Sequence, residues 1–152
     1  MLNCKDSTLQ LDGTGSSTGA GFSYLWDTSD GLILSGENTL TPEIATPGGY
    51  MLLVTNLQNG CTQTATVSAD QDVNAPQADV AEPDILTCVT NELTLQGTDN
   101  DSSSHNIYHW STASGNISAG MNTLSPTVTA PGDYILLVTD TLNGCTAEAI
   151  AS

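Results

Sequence analysis

The stretch Tyr50-Met51-Leu52-Leu53-Val54-Thr55 is apolar on both faces, and it returns 84 residues later as Tyr134-Ile135-Leu136-Leu137-Val138-Thr139. Such a short apolar run between turn residues is typical of a central β-strand buried on both sides. The same offset aligns residues 2–68 with residues 86–152 without an insertion, and 29 of the 67 aligned positions are identical. This period is a whole small domain and too long for a solenoid unit, so it predicts two tandem modules.

Period-two alternation dominates the rest of each module. Thr8–Asp12 and Glu92–Gln96 place Leu on one face and polar residues on the other, as expected for a strand with one wet side. Asn59-Gly60 and Asn143-Gly144 follow the central strands and predict tight hairpin turns. No window has a helical period of useful length, so each module is predicted to be an all-β, antiparallel β-sandwich of about seven short strands.

The domain boundaries follow from the repeat and from the composition between its copies. Module one is predicted to span 1–69, an acidic connector 70–76, and module two 77–152. Near Gln77–Ala81 the connector is expected to become the first strand of module two. Module one has no counterpart of that strand within the chain, so its first sheet edge is predicted to be open or filled by a neighbouring repeat of a longer protein.

Four cysteines fall two per repeat with the same separation, at Cys4, Cys61, Cys88 and Cys145. Four cysteines allow three pairings, but only Cys4–Cys61 with Cys88–Cys145 respects the repeat. Modules of this size bury a modest core and often need such a staple, so one disulfide per module is expected. Because disulfides persist outside the reducing cytosol, the chain is predicted to be secreted or displayed on a cell surface.

The charge balance excludes two classes of partner. Lys5 is the one basic residue against seventeen Asp and Glu, which gives a formal net charge of −16. Binding to a phosphate backbone or to anionic lipid needs Lys and Arg, so nucleic acid and membrane surfaces are not expected partners. No stretch approaches the roughly 20 apolar residues of a membrane span.

Calcium is the cofactor that the acidic loops suggest, since hard oxygen ligands suit it. Asp70, Asp72 and Asn74 precede Ala75-Pro76 and resemble the acidic connectors of cadherin-type repeats, where ions stiffen the joint. Asp99 and Asp101 form a second oxygen-rich loop. The simpler and preferred interpretation is that these acids keep a long surface array soluble and extended.

Two patterns that resemble catalytic or metal motifs are interpreted as structural. Gly15–Gly19 matches G-x-S-x-G, but the mechanism needs a strand-to-helix elbow and a histidine base, and module one contains no histidine. His105 and His109 lie four apart, which on a strand is about 13 Å and too far for one ion. No enzyme activity is therefore expected.

The aromatic residues repeat as well. Tyr and Trp two apart share one face of a strand and are predicted to pack in the core, where sugar-stacking by the Trp side chains is the alternative. The predicted core set is Tyr24, Trp26, Tyr50, Tyr108, Trp110 and Tyr134.

Three motifs in fixed order carry a family resemblance: Tyr-x-Trp at Tyr24, Pro-Gly-x-Tyr ending at Tyr50, and Asn-Gly-Cys ending at Cys61. The set resembles the PKD-like and immunoglobulin-like repeats of large secreted surface adhesins of Bacteroidota, and it covers essentially the whole chain. The resemblance implies tandem immunoglobulin-like sandwiches on a cell surface, with no catalytic residues. Ser7 and Thr141 lie in triplets that resemble the short O-glycosylation motif of this bacterial group.

The leading functional hypothesis is a non-catalytic extracellular tandem-repeat segment that acts as a stalk, an adhesin or a filament building block. Its expected partners are neighbouring repeats of the same protein or further copies added head to tail, with glycans as a further candidate. The alternative is a carbohydrate-binding accessory module of a secreted hydrolase.

Overall fold

The computed structural model describes residues 1–101 and 104–152. Strands make up 46% of the described residues, which contain no helix. The chain divides into two compact units, Met1–Val73 and Asn74–Ser152, which we call module one and module two. The division lies inside the predicted connector, because Gln71–Asp72 pairs with Leu2–Asn3 and so belongs to module one.

Module one is a sandwich of two three-stranded antiparallel sheets with a short additional pair. One sheet has the order β2 (Leu9–Gln10), β5 (Glu43–Ile44), β4 (Ile33–Ser35), and the other has the order β3 (Phe22–Thr28), β6 (Gly48–Asn56), β7 (Thr62–Ala69). The additional pair is parallel and joins β1 (Leu2–Asn3) to β8 (Gln71–Asp72).

Module two repeats the same two sheets. The first has the order β10 (Leu93–Thr94), β14 (Thr127–Ala130), β13 (Asn116–Ala119), and the second has the order β12 (Asn106–Thr112), β15 (Tyr134–Asp140), β16 (Thr146–Ala151). Its additional pair is antiparallel and joins β9 (Asp79–Val80) to β11 (Gly97–Thr98). The prediction of two all-β antiparallel sandwiches is confirmed.

Five equivalent pairs of side chains form the centre of the two cores. The buried core residues are Leu11, Trp26, Ile44, Tyr50, Leu52 and Ala69 in module one, and Leu95, Trp110, Val128, Tyr134, Leu136, Val138 and Ala151 in module two. The alternation of each central strand explains the set, since successive side chains point to opposite faces and only one face meets the other sheet.

The Asn-Gly turns also take the same form in both modules. Gly60 and Gly144 have φ values of 74° and 73°, a left-handed conformation that glycine adopts without a Cβ clash. The preceding asparagine stabilises each turn, because Asn59 Oδ1 accepts the Cys61 N–H at 2.9 Å. Both hairpins therefore depend on the residue types that the sequence repeats.

The predicted cysteine pairing is wrong. Cys4 and Cys145 are disulfide-bonded, whereas Cys61 and Cys88 are exposed free thiols. In module one the reason is the length of β7. This eight-residue strand starts directly after Cys61 and ends beside the β1–β8 pair, so it separates the two cysteines by about 26 Å, far beyond the roughly 7 Å that a disulfide tolerates.

The same geometry separates the cysteines of module two. Cys145 lies directly before β16, whereas Cys88 lines a groove together with Ala151 and Ser152 at the other end of that strand. A strand of six residues spans about 20 Å, which again rules out a bond between the two sulfurs. The 84-residue offset assigns two cysteines to each module, but those two lie at opposite ends of a strand.

Thiol counting tests the corrected pairing. We expect the folded, unreduced chain to react with two equivalents of a maleimide, at Cys61 and Cys88, and to react with four after reduction in denaturant. Peptide mapping without reduction should find Cys4 and Cys145 in cross-linked peptides and Cys61 and Cys88 in peptides that are not cross-linked. A map that joins Cys4 to Cys61 would show that the corrected pairing is wrong.

Candidate functional site

The two tryptophans lie inside the modules and not on their surfaces. Trp26 is 5% exposed and Trp110 is fully buried. Each indole N–H donates to a backbone carbonyl, that of Thr39 at 2.9 Å in module one and that of Thr123 at 2.8 Å in module two. A ring held in this way has no free face on which a sugar could stack.

One buried tyrosine in each module ties loops to the core. The Tyr50 hydroxyl donates to Thr46 O at 2.7 Å and accepts the Leu32 N–H at 3.1 Å, so it joins the loops on either side of β4 and β5. The Tyr134 hydroxyl repeats this arrangement by donating to Ala130 O and accepting the Asn116 N–H. The loop glycines before these amides are required, because a Cβ on Gly31 would lie 2.3 Å from the Tyr50 hydroxyl oxygen.

Removing the Tyr50 hydroxyl should destabilise module one. We expect Tyr50→Phe to lower the free energy of unfolding by about 1 kcal/mol, since it removes two part-buried hydrogen bonds, from the Leu32 N–H and to Thr46 O. The matched control is Tyr24→Phe, which removes an exposed bond to Ser17 O and should cost less. Urea denaturation of both variants measures the difference, and equal losses would contradict the role of Tyr50.

The other repeated tyrosine, Tyr24 or Tyr108, bonds a different kind of group in each module. Tyr24 bonds a backbone carbonyl, whereas the Tyr108 hydroxyl donates to Asp99 Oδ2 at 2.9 Å. The Asn106 side-chain amide joins this group, because its Nδ2 donates to Asp99 Oδ2 at 2.8 Å and to Asp101 Oδ1 at 2.7 Å. Module two thus holds its two loop carboxylates in a hydrogen-bond network that module one lacks, since Gly15 and Ser17 occupy the equivalent positions.

This network shifts two pKa values in opposite directions. Burial alone would raise the pKa of Asp99, but the hydrogen bonds from Asn106, Asp101 and Tyr108 outweigh it and hold the pKa below the usual 3.8. Burial, the hydrogen bond to Asp99 and the negative charges of Asp99 and Asp101 raise the pKa of Tyr108 above 10.0. Each shift favours the state in which a neutral phenol donates to a charged carboxylate.

The directions of these pKa shifts determine how the stability of module two changes with pH. Because the folded-state pKa of Asp99 is depressed, its contribution to stability is present above the unfolded pKa of about 3.9 and is lost as the pH falls through the lower folded value. We also expect Asp99→Asn to lower the pKa of Tyr108, which a spectrophotometric phenol titration measures. An unchanged Tyr108 titration in this variant would contradict the assigned bond.

The predicted calcium ligands do not form a compact set in the described parts of the chain. Within residues 1–101 and 104–152, no three His, Cys, Asp or Glu side chains cluster in a way that could hold a metal ion. Asp70 and Asp72 belong to module one, and Asn74 begins module two, where its carbonyl accepts the Asn143 Nδ2 at 2.9 Å. Calcium binding stays a prediction.

The remaining motif residues lie on the surface. Gly15–Gly19 forms the loop between β2 and β3, and His109 is exposed with its Nδ1 3.1 Å from Asn122 Oδ1. His105 precedes β12 and is exposed. Ser7 is exposed, and the exposed Thr141 donates its hydroxyl to His105 O at 2.8 Å. O-glycosylation of Ser7 and Thr141 stays a prediction.

Two concave surfaces were missed by the sequence reasoning. In module two, a groove of about 580 Å³ is lined by apolar residues that include Leu86, Leu93, Val128 and Tyr134, beside the free Cys88. In module one, a groove of about 160 Å³ beside β7 reaches the core residues Trp26 and Leu52. The repeat could have predicted the second groove, because residues 1–73 contain no counterpart of the segment around β9 that covers the equivalent place in module two.

Among known proteins, the chain matches solved structures at low identity. No protein-family model and no curated protein matches the chain. Among solved structures it is similar to the mouse nectin-like molecule 4 ectodomain (Ig1–Ig3), with 13% identity, a TM-score of 0.36, and coverage of 86% of this chain and 53% of that chain. The immunoglobulin-like assignment itself follows from the two-sheet order of each module.

Two cadherin structures are also similar. Drosophila N-cadherin EC1-4 gives 12% identity and a TM-score of 0.33, with coverage of 86% of this chain and 40% of that chain. Chicken VE-cadherin EC1-2 gives 12% identity and a TM-score of 0.26, with coverage of 95% and 90%. The chain thus spans about half of the nectin-like ectodomain and two fifths of the N-cadherin fragment. Across the described ranges, no helix is long and apolar enough to cross a membrane.

Proposed function

We propose that the chain is a load-bearing, non-catalytic repeat segment of an extracellular surface protein, of the stalk or adhesin type. The observation that carries this proposal is the parallel pairing of the first and last strands of module one. Leu2 and Asn3 of β1 pair with Gln71 and Asp72 of β8, and the Leu2 N–H donates to Asp70 O at 2.9 Å.

Parallel terminal strands resist tension in a specific way. Force applied at the two ends of module one pulls β1 and β8 in opposite directions along their common axis, so it loads their hydrogen bonds together in shear. An antiparallel hairpin pulled at its open end instead breaks its bonds one after another. Leu2 adds packing to this connection, because its side chain is 1% exposed.

The duplicated features support a structural role for both modules. The shared positions are the Trp and Tyr side chains of the cores, the bonds made by Tyr50 and Tyr134, and the Asn-Gly turns, all of which build scaffold. The net charge of −16 keeps a repeated array soluble, and an oxidised cysteine pair suits an extracellular location. The resemblance to the repeats of Bacteroidota surface adhesins supports the same location.

The carbohydrate-binding alternative is less well supported. It relied on Trp26 and Trp110 as sugar-stacking platforms, yet both rings are buried and both indole N–H groups are used by backbone carbonyls. The exposed aromatic face that stacking requires is missing at both positions.

Single-molecule force spectroscopy tests the proposal. The full chain is pulled from its two termini in reducing buffer, so that no disulfide carries the tension. We expect module one to unfold in one step that releases roughly 24 nm for about 70 residues. Leu2→Pro, which removes both the donated N–H and the buried side chain, should lower the unfolding force of that step.

The matched control is Met1→Pro, one residue earlier at an exposed position, and it should leave the unfolding force unchanged. Equilibrium unfolding of both variants shows how far a lower force reflects lower stability. If Leu2→Pro and Met1→Pro unfold at the same force, the β1–β8 pair carries no load and the proposed function loses its main support.

A further inference from the structure

The two modules differ most on the core-facing side of the last strand of the larger sheet. Directly opposed residues share one face of a sheet, and Tyr50 and Leu52 of the core lie opposite Val67 and Ala65 of β7. These side chains of β7 therefore point toward the core, yet β7 is exposed along its length except at Ala69. Val67 is 42% exposed, an unusual value for an inward-facing valine.

In module two the equivalent side chains are covered. Tyr134, Leu136 and Val138 lie opposite Ala151, Ala149 and Ala147 of β16. Ala151 is only 3% exposed and belongs to the core, and the other two alanines are half-buried. The same face of the same strand is thus buried in one repeat and open in the other.

The cover in module two is the segment around β9. Ala78 and Val80, two residues apart and so on one face, pack against the core of module two. The backbone of this segment extends the sheet edge, because Val80 pairs with Gly97, Asp79 pairs with Thr98, and the Ala81 N–H donates to Gln96 O at 2.9 Å. One short strand therefore closes the sandwich from this side.

Module one has the acceptor site for such a strand but no strand in it among the described residues. Gly13 and Thr14, the counterparts of Gly97 and Thr98, lie outside any strand, and Gly13 borders the groove that reaches Trp26 and Leu52. The space beside the glycine is alike in both modules, since a Cβ on Gly13 or on Gly97 would lie 2.9 Å from Leu52 Cδ2 or Leu136 Cδ2. The acceptor geometry is therefore shared between the modules.

We infer that this groove of module one binds an extended connector strand of the Gln77–Glu82 type, donated by a neighbouring repeat of the same kind. The inference rests on the proposed repeat-array function, because a neighbouring repeat is what supplies such a connector. The donor is defined by its chemistry: small apolar side chains at the positions of Ala78 and Val80, an acid between them, and a free backbone edge. Pairing of this kind is β-strand addition.

In module one the Asp12 side chain occupies the backbone N–H that a donor strand would bind. Its Oδ1 accepts both the Thr14 N–H at 2.9 Å and the Thr14 hydroxyl at 2.5 Å. In module two the equivalent residue is Gln96, and the equivalent threonine pairs with the covering strand. A donor strand must therefore displace the Asp12 carboxylate, and Asp12→Gln should strengthen strand binding by removing that carboxylate.

A graft tests the inference in the full chain. A copy of residues 74–85 is placed directly before Leu2, which reproduces the spacing of module two because Leu86 aligns with Leu2. We expect the graft to raise the melting temperature of module one by about 4 °C or more. We also expect it to slow amide hydrogen exchange at Thr14 and along β7 by at least tenfold.

The control graft has the same length but carries lysine at the copied positions of Ala78 and Val80, and it should give neither effect. The inference is wrong if the two grafts protect Thr14 and β7 equally or not at all. Protection that rises with the concentration of the ungrafted chain would also overturn it, because the occupant would then be a second copy. The graft readouts involve no applied force, so they can fail while the load-bearing function holds. The force measurement does not involve the groove, so it can fail while strand binding holds.

Discussion

A two-sheet sandwich gains its stability by burying the core-facing sides of both sheets, and the two modules differ in how completely they do so. In module two β9 completes the burial, because Ala78 and Val80 pack against the core beside Ala151. In module one the equivalent side of β7 is left to solvent, and Val67 is exposed. Two sequences with the same core therefore give one closed and one open sandwich.

The open side affects residues beyond β7. Trp26 is slightly more exposed than Trp110, and Val54 is half-buried although its counterpart Val138 is fully buried. The loop bonds of Tyr50 and the parallel β1–β8 pair do not depend on the missing cover, so module one keeps its scaffold and its proposed load path. The edge that lacks a strand lies at Gly13 and Thr14, where the Asp12 carboxylate satisfies the Thr14 N–H.

Local pattern was enough to predict the sandwich but not its long-range connections. The alternation around Tyr50 and Trp26 determines which face is buried, so the strands and the core could be predicted from the sequence. The disulfide could not, because Cys4 and Cys61 belong to the same repeat but lie at opposite ends of β7. The strand β8 lies in a segment with the composition of a connector, and only its pairing with Leu2 and Asn3 places it in module one. The alternation also predicts that Val67 faces inward, but it cannot predict which segment covers that side chain.

Native-state hydrogen exchange of the unmodified chain tests the central claim that module one is open where module two is closed. The comparison is between paired amides at equivalent places, those of β6 and β7 around Leu52 and Ala65, and those of β15 and β16 around Leu136 and Ala149. Because β7 lacks the apolar burial that β9 gives to β16, the account predicts exchange at least tenfold faster in module one. Equal or slower exchange in module one would contradict it.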